Sequence, residues 1–266
     1  VIIIMKSTKD LRLSRILREG KAIIVPIDHV IEGYLNYNGE GYYNEFNKID
    51  SLLKSFISGK ATSIIAYRGI VKKYAEIISG KLSFIYRITE PVNELLEFYI
   101  RDAVKLGADA IIYTVIFGHP QEKEMYRTLQ ALAIIGEEYS MPVIGEASFW
   151  PESGKDKFSI LRQGIRVLGE AGVDIVKSQL PSEISKEIYS KMLEYAVTPV
   201  VAAGGPKMDS LKKLFEFVST FMESGGSGIA IGRNIWGQPN PSSILLAMNK
   251  IIYEKANIND ILKEVE

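Results

Sequence analysis

Short apolar runs recur along the chain, each followed by a longer stretch in which apolar positions return every three or four residues. The runs are AIIVPID (22–28), ATSIIAY (61–67), LSFIYRI (82–88), ADAIIYTV (108–115), PVIGEA (142–147), VDIVKSQ (173–179), PVVAAGG (199–205) and SGIAIG (227–232). Nearly continuous apolar runs of this length suit parallel strands covered on both faces. The stretches between them read as helices. EPVNELLEFYIRDAVKLGADA has a proline near its start and stops at Gly107, and KFSILRQGIRVLGEAGVDIV stops at Gly172. SLKKLFEFVSTFMESGGSGIA follows the same plan, so SGGSG reads as a helix-to-strand turn, and RGIVKKYAEIISGK is the weakest helical signal. Eight such units predict an α/β fold, a single-domain (β/α)8 TIM barrel over residues 1–266. A doubly wound open sheet is the alternative, but even spacing without a break in composition favours closure. After the first run, IEGYLNYNGEGYYNEFNKID (31–50) predicts a long loop, either a lid over a site or tyrosines packed on the surface.

Composition narrows the chemistry. Lys+Arg and Asp+Glu both number 32, so the basic excess expected of a partner for nucleic acid or an anionic membrane is missing. Without cysteine there is no disulfide, thiolate nucleophile or Cys-ligated metal. The two histidines, His29 and His119, cannot build a zinc site from several imidazoles, although a carboxylate site for magnesium stays open. The apolar start VIII is cut short by Met5-Lys6, too short for a signal-peptide core or a membrane span. A soluble cytoplasmic protein is the expectation.

In a barrel of this kind the site lies at the C-terminal strand ends. The first run ends in Asp28-His29, the fifth in Glu146 and the sixth in Lys177. The seventh ends in Gly204-Gly205-Pro206-Lys207 and the eighth in Gly232-Arg233-Asn234. Glycines at both exits let backbone N–H groups approach a ligand, a helix N-terminus behind them adds a positive dipole end, and Arg233 offers a bidentate phosphate contact. The alternative is a pair of tight turns. No GxxxxGK[ST] is present, so nucleotide hydrolysis has no support.

Lys177 follows the buried run Val173–Val176. Either it snorkels to water, or it is an amine kept partly neutral by burial or a nearby cation such as Arg233, poised to attack the carbonyl of a sugar phosphate. Asp28 then reads as the acid–base group or as a loop acceptor, and His29 as a loop anchor or a catalyst. Glu146 reads as a second proton carrier or, the favoured reading, the partner that holds Lys177. His119, in FGHPQEKE, reads as a plain loop residue.

The segments VPIDH, GADAIIYTVIFG, VDIVKS, VVAAGGPK and GIAIGRNIW resemble, in order and over nearly the whole chain, the archaeal-type class I fructose-bisphosphate aldolases. The wider family includes 2-amino-3,7-dideoxy-heptulosonate synthase. The resemblance implies a homo-oligomeric barrel enzyme, without metal or other cofactor, acting on a phosphorylated sugar. Lys177 falls on the Schiff-base lysine and Asp28 on the strand-one acid–base aspartate. Gly204, Gly205, Gly232 and Arg233 fall on the phosphate loops, with Lys207 in GGPK beside them. YTVIFG followed by EMYRTL is closer to the aldolase branch than to the synthase branch. The departure is GEASFWPESG: the family's acid–base tyrosine is Trp150 here, and its arginine after the proline is Glu152. Indole N–H donates a hydrogen bond but neither gives up nor takes a proton near neutral pH. Three readings follow: a fructose-bisphosphate aldolase, a related synthase or transaldolase-like enzyme on another ketose phosphate, and a weakly active sugar-phosphate-binding paralogue.

Overall fold

The computed structural model describes residues 7–31, 48–181 and 183–265. Eight parallel strands close into a barrel in chain order. They are β1 (Ala22–Pro26), β2 (Ser63–Ala66), β3 (Ser83–Arg87), β4 (Ala110–Phe117), β5 (Val143–Phe149), β6 (Ile175–Ser178), β7 (Val200–Ala203) and β8 (Gly228–Ala230). The register closes through Ala22 opposite Gly228 and Ile24 opposite Ala230. The open-sheet alternative is thereby excluded. The expected loop at 31–50 lies, for residues 32–47, outside the described residues.

The helices are α1 (Thr8–Ile16) before β1, then between strands α2 (Ile49–Ser58), α3 (Arg68–Ile78), α4 (Leu96–Lys105), α5 (Glu122–Glu138), α6 (Lys157–Glu170), α7 (Lys186–Leu193) and α8 (Leu211–Glu223), and after β8 α9 (Arg233–Trp236), α10 (Pro241–Asn249) and α11 (Ile258–Val265). Several of them start at side chains that accept otherwise unpaired N–H groups. Asp156 accepts from Ser159, Ser185 from Ile188 and Ser210 from Lys213. The weak signal at 68–81 does form a helix, with a kink at Tyr74 (φ −114°, ψ 20°). Gly172 takes φ +97°, a conformation that suits glycine, and turns α6 straight into the strand that carries Lys177.

Alternation along each strand divides the core in two. Outward residues such as Ile23, Val25, Phe84, Ile111, Val143 and Val176 pack under the helices. Inward residues Ile24, Ile65, Ile85, Ile112, Ile144, Ile175 and Val201 fill the barrel, joined from below by Ile16 of α1. Helix α1 is pinned to that lower end by Lys9 to Asp174 at 2.9 Å and Arg15 to Asp109 at 2.8 Å. Continuing the inward series upward by two residues leads from Ile85 to Arg87, from Ile112 to Thr114, from Ile144 to Glu146 and from Ile175 to Lys177. The apolar filling thus ends under a polar layer.

Candidate active site

Register aligns three members of that polar layer, while Arg87 stands opposite Ile112 on β4. Thr114 stands opposite Glu146, and Glu146 opposite Lys177. Lys177 Nζ lies 2.5 Å from Glu146 Oε1, and both side chains are largely enclosed. The snorkelling reading of Lys177 is therefore not what the structure holds: the residue is 6% exposed and its ammonium faces a carboxylate inside the barrel.

The residue that organises the layer is Arg87, the last residue of β3. Its Nε donates to Asp28 Oδ2 at 2.6 Å, Nη1 to Thr114 Oγ1 at 2.9 Å and Nη2 to Glu146 Oε2 at 2.8 Å. Thr114 Oγ1 also donates to Glu146 Oε2, at 2.9 Å. Asp28, Arg87, Glu146 and Lys177 thus form a chain of alternating charge that sums to zero. Neither Arg87 nor Thr114 was among the sequence-derived candidates. Burial alone would push the Glu146 carboxyl up, but Lys177 and Arg87 outweigh it and hold the group well below the usual carboxylate range.

His29 sits at the edge of the layer, its Nδ1 3.5 Å from Asp28 Oδ1 and its ring edge-on to Trp236 at 5.5 Å. Burial first, then the nearby cations Lys177, Arg233 and Arg87, lower its pKa to about 4 in spite of Asp28. The imidazole is neutral at pH 7. Trp236 Nε1 donates to the Pro26 carbonyl at 3.1 Å, tying the exit of β1 to α9.

The β7 and β8 exits meet as the glycine pattern predicts, but the helices behind them do not match it. Helix α9 has only four residues, and α8 starts at Leu211, well past Gly205. A helix dipole therefore contributes little at either exit. Backbone and side chain define the corner instead. A Cβ on Gly232 would meet the Pro26 carbonyl oxygen and Trp236 Nε1 at 2.8 Å, so this close approach needs glycine. Asn234, fully enclosed, bridges the two exits: its amide nitrogen donates to Pro206 O at 2.9 Å and Gly204 O at 3.3 Å, and its oxygen accepts from Met208 N at 2.7 Å. Gly205 is exposed, Arg233 is half-buried, and Lys207 Nζ donates to the Gly237 carbonyl at 3.0 Å. Asn234 was quoted in the strand-eight motif but given no role there.

Trp150 extends the inward series of β5 past Glu146 and Ser148. Its ring meets that of His119 edge-on at 4.6 Å, so His119 is the packing partner of an aromatic wall above β4 and β5. Ser148 accepts from Gln179 Nε2 at 3.0 Å beneath it. Among the described residues, no group of three or more His, Cys, Asp or Glu side chains is arranged to hold a metal ion, and no helix is long and apolar enough to cross a membrane. The layer as a whole brings together an enclosed amine, two carboxylates and a guanidinium, with a glycine-lined corner and a further arginine at the β7 and β8 exits.

Comparison with known proteins gives a consistent result. The profile of the DeoC/LacD family aldolases matches residues 22–238. An uncharacterized aldolase of Saccharolobus solfataricus is 23% identical over 96% of this chain and 97% of its own. A 2-amino-3,7-dideoxy-D-threo-hept-6-ulosonate synthase of Archaeoglobus fulgidus is 24% identical over 96% of this chain and 95% of its own. The solved structure of a Schiff-base-forming fructose-1,6-bisphosphate aldolase superposes with a TM-score of 0.74 at 21% identity, covering 92% of this chain and 100% of that one. At that identity the superposition speaks for the fold.

Proposed function

The chain belongs to the DeoC/LacD aldolase family, and from that premise we propose that it is a class I aldolase cleaving fructose 1,6-bisphosphate to dihydroxyacetone phosphate and glyceraldehyde 3-phosphate. The observation that carries the reading is the enclosed contact of Lys177 with Glu146 at 2.5 Å, directly above the apolar barrel filling.

In the condensation direction, Lys177, held by Glu146, gives its proton to water and the neutral amine attacks the ketone carbon of dihydroxyacetone phosphate. The ketone oxygen takes up a proton, the nitrogen loses one, and water leaves the carbinolamine to give an iminium. Asp28 removes a proton from the adjacent carbon and the electron pair moves into an enamine. The enamine carbon attacks the aldehyde carbon of glyceraldehyde 3-phosphate, whose oxygen takes a proton. Water then adds to the new iminium and releases Lys177 and the product. Gly204, Gly205, Gly232 and Arg233 hold the phosphate, with Lys207 beside them, and His29 lines the site as a neutral imidazole. Residues 1–266 act as one catalytic domain, and the family resemblance supports a cytoplasmic homo-oligomer.

Trp150 favours a second reading, a related synthase or transaldolase-like reaction on another ketose phosphate, because it sets an apolar ring beside His119 after β5 at the position where the family resemblance implies a phenol. Borohydride reduction in the presence of dihydroxyacetone phosphate, with peptide mapping, is expected to fix an adduct on the peptide containing DIVKSQL. Labelling elsewhere, or no label, overturns the Schiff-base reading. Turnover of fructose 1,6-bisphosphate in EDTA, set beside a panel of other ketose phosphates, decides between the two substrates.

A further inference from the structure

The two oxygens of Glu146 are used differently. Oε2 accepts from both Arg87 Nη2 at 2.8 Å and Thr114 Oγ1 at 2.9 Å, while Oε1 faces Lys177 Nζ at 2.5 Å. Arg87 is also the only described side chain bonded to both carboxylates of the layer, through Asp28 at 2.6 Å and Glu146. From this geometry we infer that Arg87 is a positioning residue that presents a single oxygen of the ionised Glu146 to Lys177 and sets the pH range in which the free amine forms. The inference rests on the aldolase reading above.

The charges explain why. Lys177 exchanges its proton within a cluster of two carboxylates, Asp28 and Glu146, and two cations, Arg87 and Lys177, with His29 and Arg233 at its edge. The guanidinium stands between the two carboxylates and offsets part of their pull on the lysine's proton. Without the guanidinium, the same amine faces two carboxylates, and its ammonium form gains. Glu146 also loses one of the two donors that orient it, so either oxygen can then turn toward Lys177.

Adduct formation with dihydroxyacetone phosphate and borohydride, followed against pH in the full chain, tests the inference. In Arg87→Gln the profile is expected to move to higher pH by about one unit or more, the usual reach of a lost opposite charge. In Glu146→Gln the amine loses its carboxylate instead, and the profile moves to lower pH. Arg87→Lys restores the charge and returns the profile toward native, but one ammonium cannot bond three groups at once, so the rate stays about tenfold low. A structural defect alone would lower the amount of active protein without displacing either profile. Failure of the native chain to label Lys177 overturns the aldolase reading underneath. Labelling of Lys177 with an unmoved profile in Arg87→Gln overturns the inference about Arg87 alone. Should Arg87→Gln fail to fold, Arg87→Lys decides: a native rate in that variant shows that three-point positioning is not needed.

Discussion

At the bottom of the barrel Lys9 pairs with Asp174 and Glu137, and Arg15 pairs with Asp109; at the top Asp28, Arg87, Glu146 and Lys177 form one chain. Both ends bury charge, and the Lys9–Asp174 contact is itself enclosed, but each lower network includes one member open to water. The Glu137 side chain is 66% exposed and Arg15 53%, whereas no member of the upper chain exceeds 13%. An exposed partner lets a salt bridge relax into solvent, so the lower pairs act as pins for α1. The upper charges are enclosed and face one another, with Thr114 and His29 beside them. Buried charge is thus a poor signal of function by itself, and enclosure without solvent relief is a better one.

The sharpest way to break this comparison is to exchange the two lysines' fates. Lys177→Arg keeps a cation against Glu146 but cannot supply a neutral amine, so turnover and borohydride labelling should vanish while the unfolding midpoint moves little. Lys9→Met should do the reverse, retaining activity per folded molecule while losing about 1–3 kcal/mol in urea unfolding, the usual size of a charged hydrogen bond. If Lys9→Met abolishes activity in chains that remain folded, the division of labour between the two ends is wrong.

A second test falls at Trp150, also at the top but apolar. A missing acid–base group commonly slows a reaction about 10²–10⁴-fold. The native chain should therefore accumulate covalent adduct during fructose bisphosphate cleavage, and Trp150→Tyr should raise the cleavage rate. Glu146→Gln is the companion variant, because Glu146 is the carboxylate already beside Lys177. Fast native turnover, no gain in Trp150→Tyr and a silent Glu146→Gln together would make Trp150 simply a wall of the pocket.

Much of the upper end was legible from strand endings. Asp28, Glu146 and Lys177 each close an apolar run, and all three join the chain of charges. Arg87 in LSFIYRI presents the same anomaly as Lys177, a cation inside a buried run, so its signal too lies in the sequence. Thr114 gave no such signal, since threonine is ordinary in strands. Its place opposite Glu146 depends on register, which apolar periodicity leaves open across separate strands. The four-residue α9 was also beyond reach: a strand followed by GRNIW looks alike whether a turn or a long helix comes next.

The two ends also answer acid differently. Between pH 6.5 and about 4 the unfolded chain binds a proton at His29 that the folded chain refuses. Its contribution to stability is complete above pH 6.5 and falls as pH drops toward 4, by about 3 kcal/mol in all. Glu146, held low, adds a further loss below its ordinary value of 4.5. Asp174 at the lower end works in the opposite sense: burial raises its carboxyl, so just above pH 3.8 the folded chain binds the extra proton. His29→Gln should therefore flatten the fall in urea midpoint between pH 7 and 4.5, leaving the decline below that range. An unchanged acid limb in this variant would mean that His29 is not kept neutral by its surroundings.

The smallest expected effects separate two cations of the glycine corner. Arg233 follows Gly232 directly, close enough to the mouth to bear on His29, and its guanidinium suits a phosphate. Lys207 is exposed and already donates to the Gly237 carbonyl at 3.0 Å. A ligand phosphate would have to compete with that bond and with water, so the lysine has less to offer. Arg233→Ala should weaken binding of dihydroxyacetone phosphate by about 1.5–3 kcal/mol while leaving dihydroxyacetone nearly unaffected, and Lys207→Ala should change the phosphorylated ligand by less than about 1 kcal/mol. Titration calorimetry on Lys177→Met, which binds without forming the adduct, reads both differences free of chemistry. Equal losses for the two ligands in Arg233→Ala would assign Arg233 to the fold of the corner, and a larger loss in Lys207→Ala would place the phosphate on the outer side of the β7 exit.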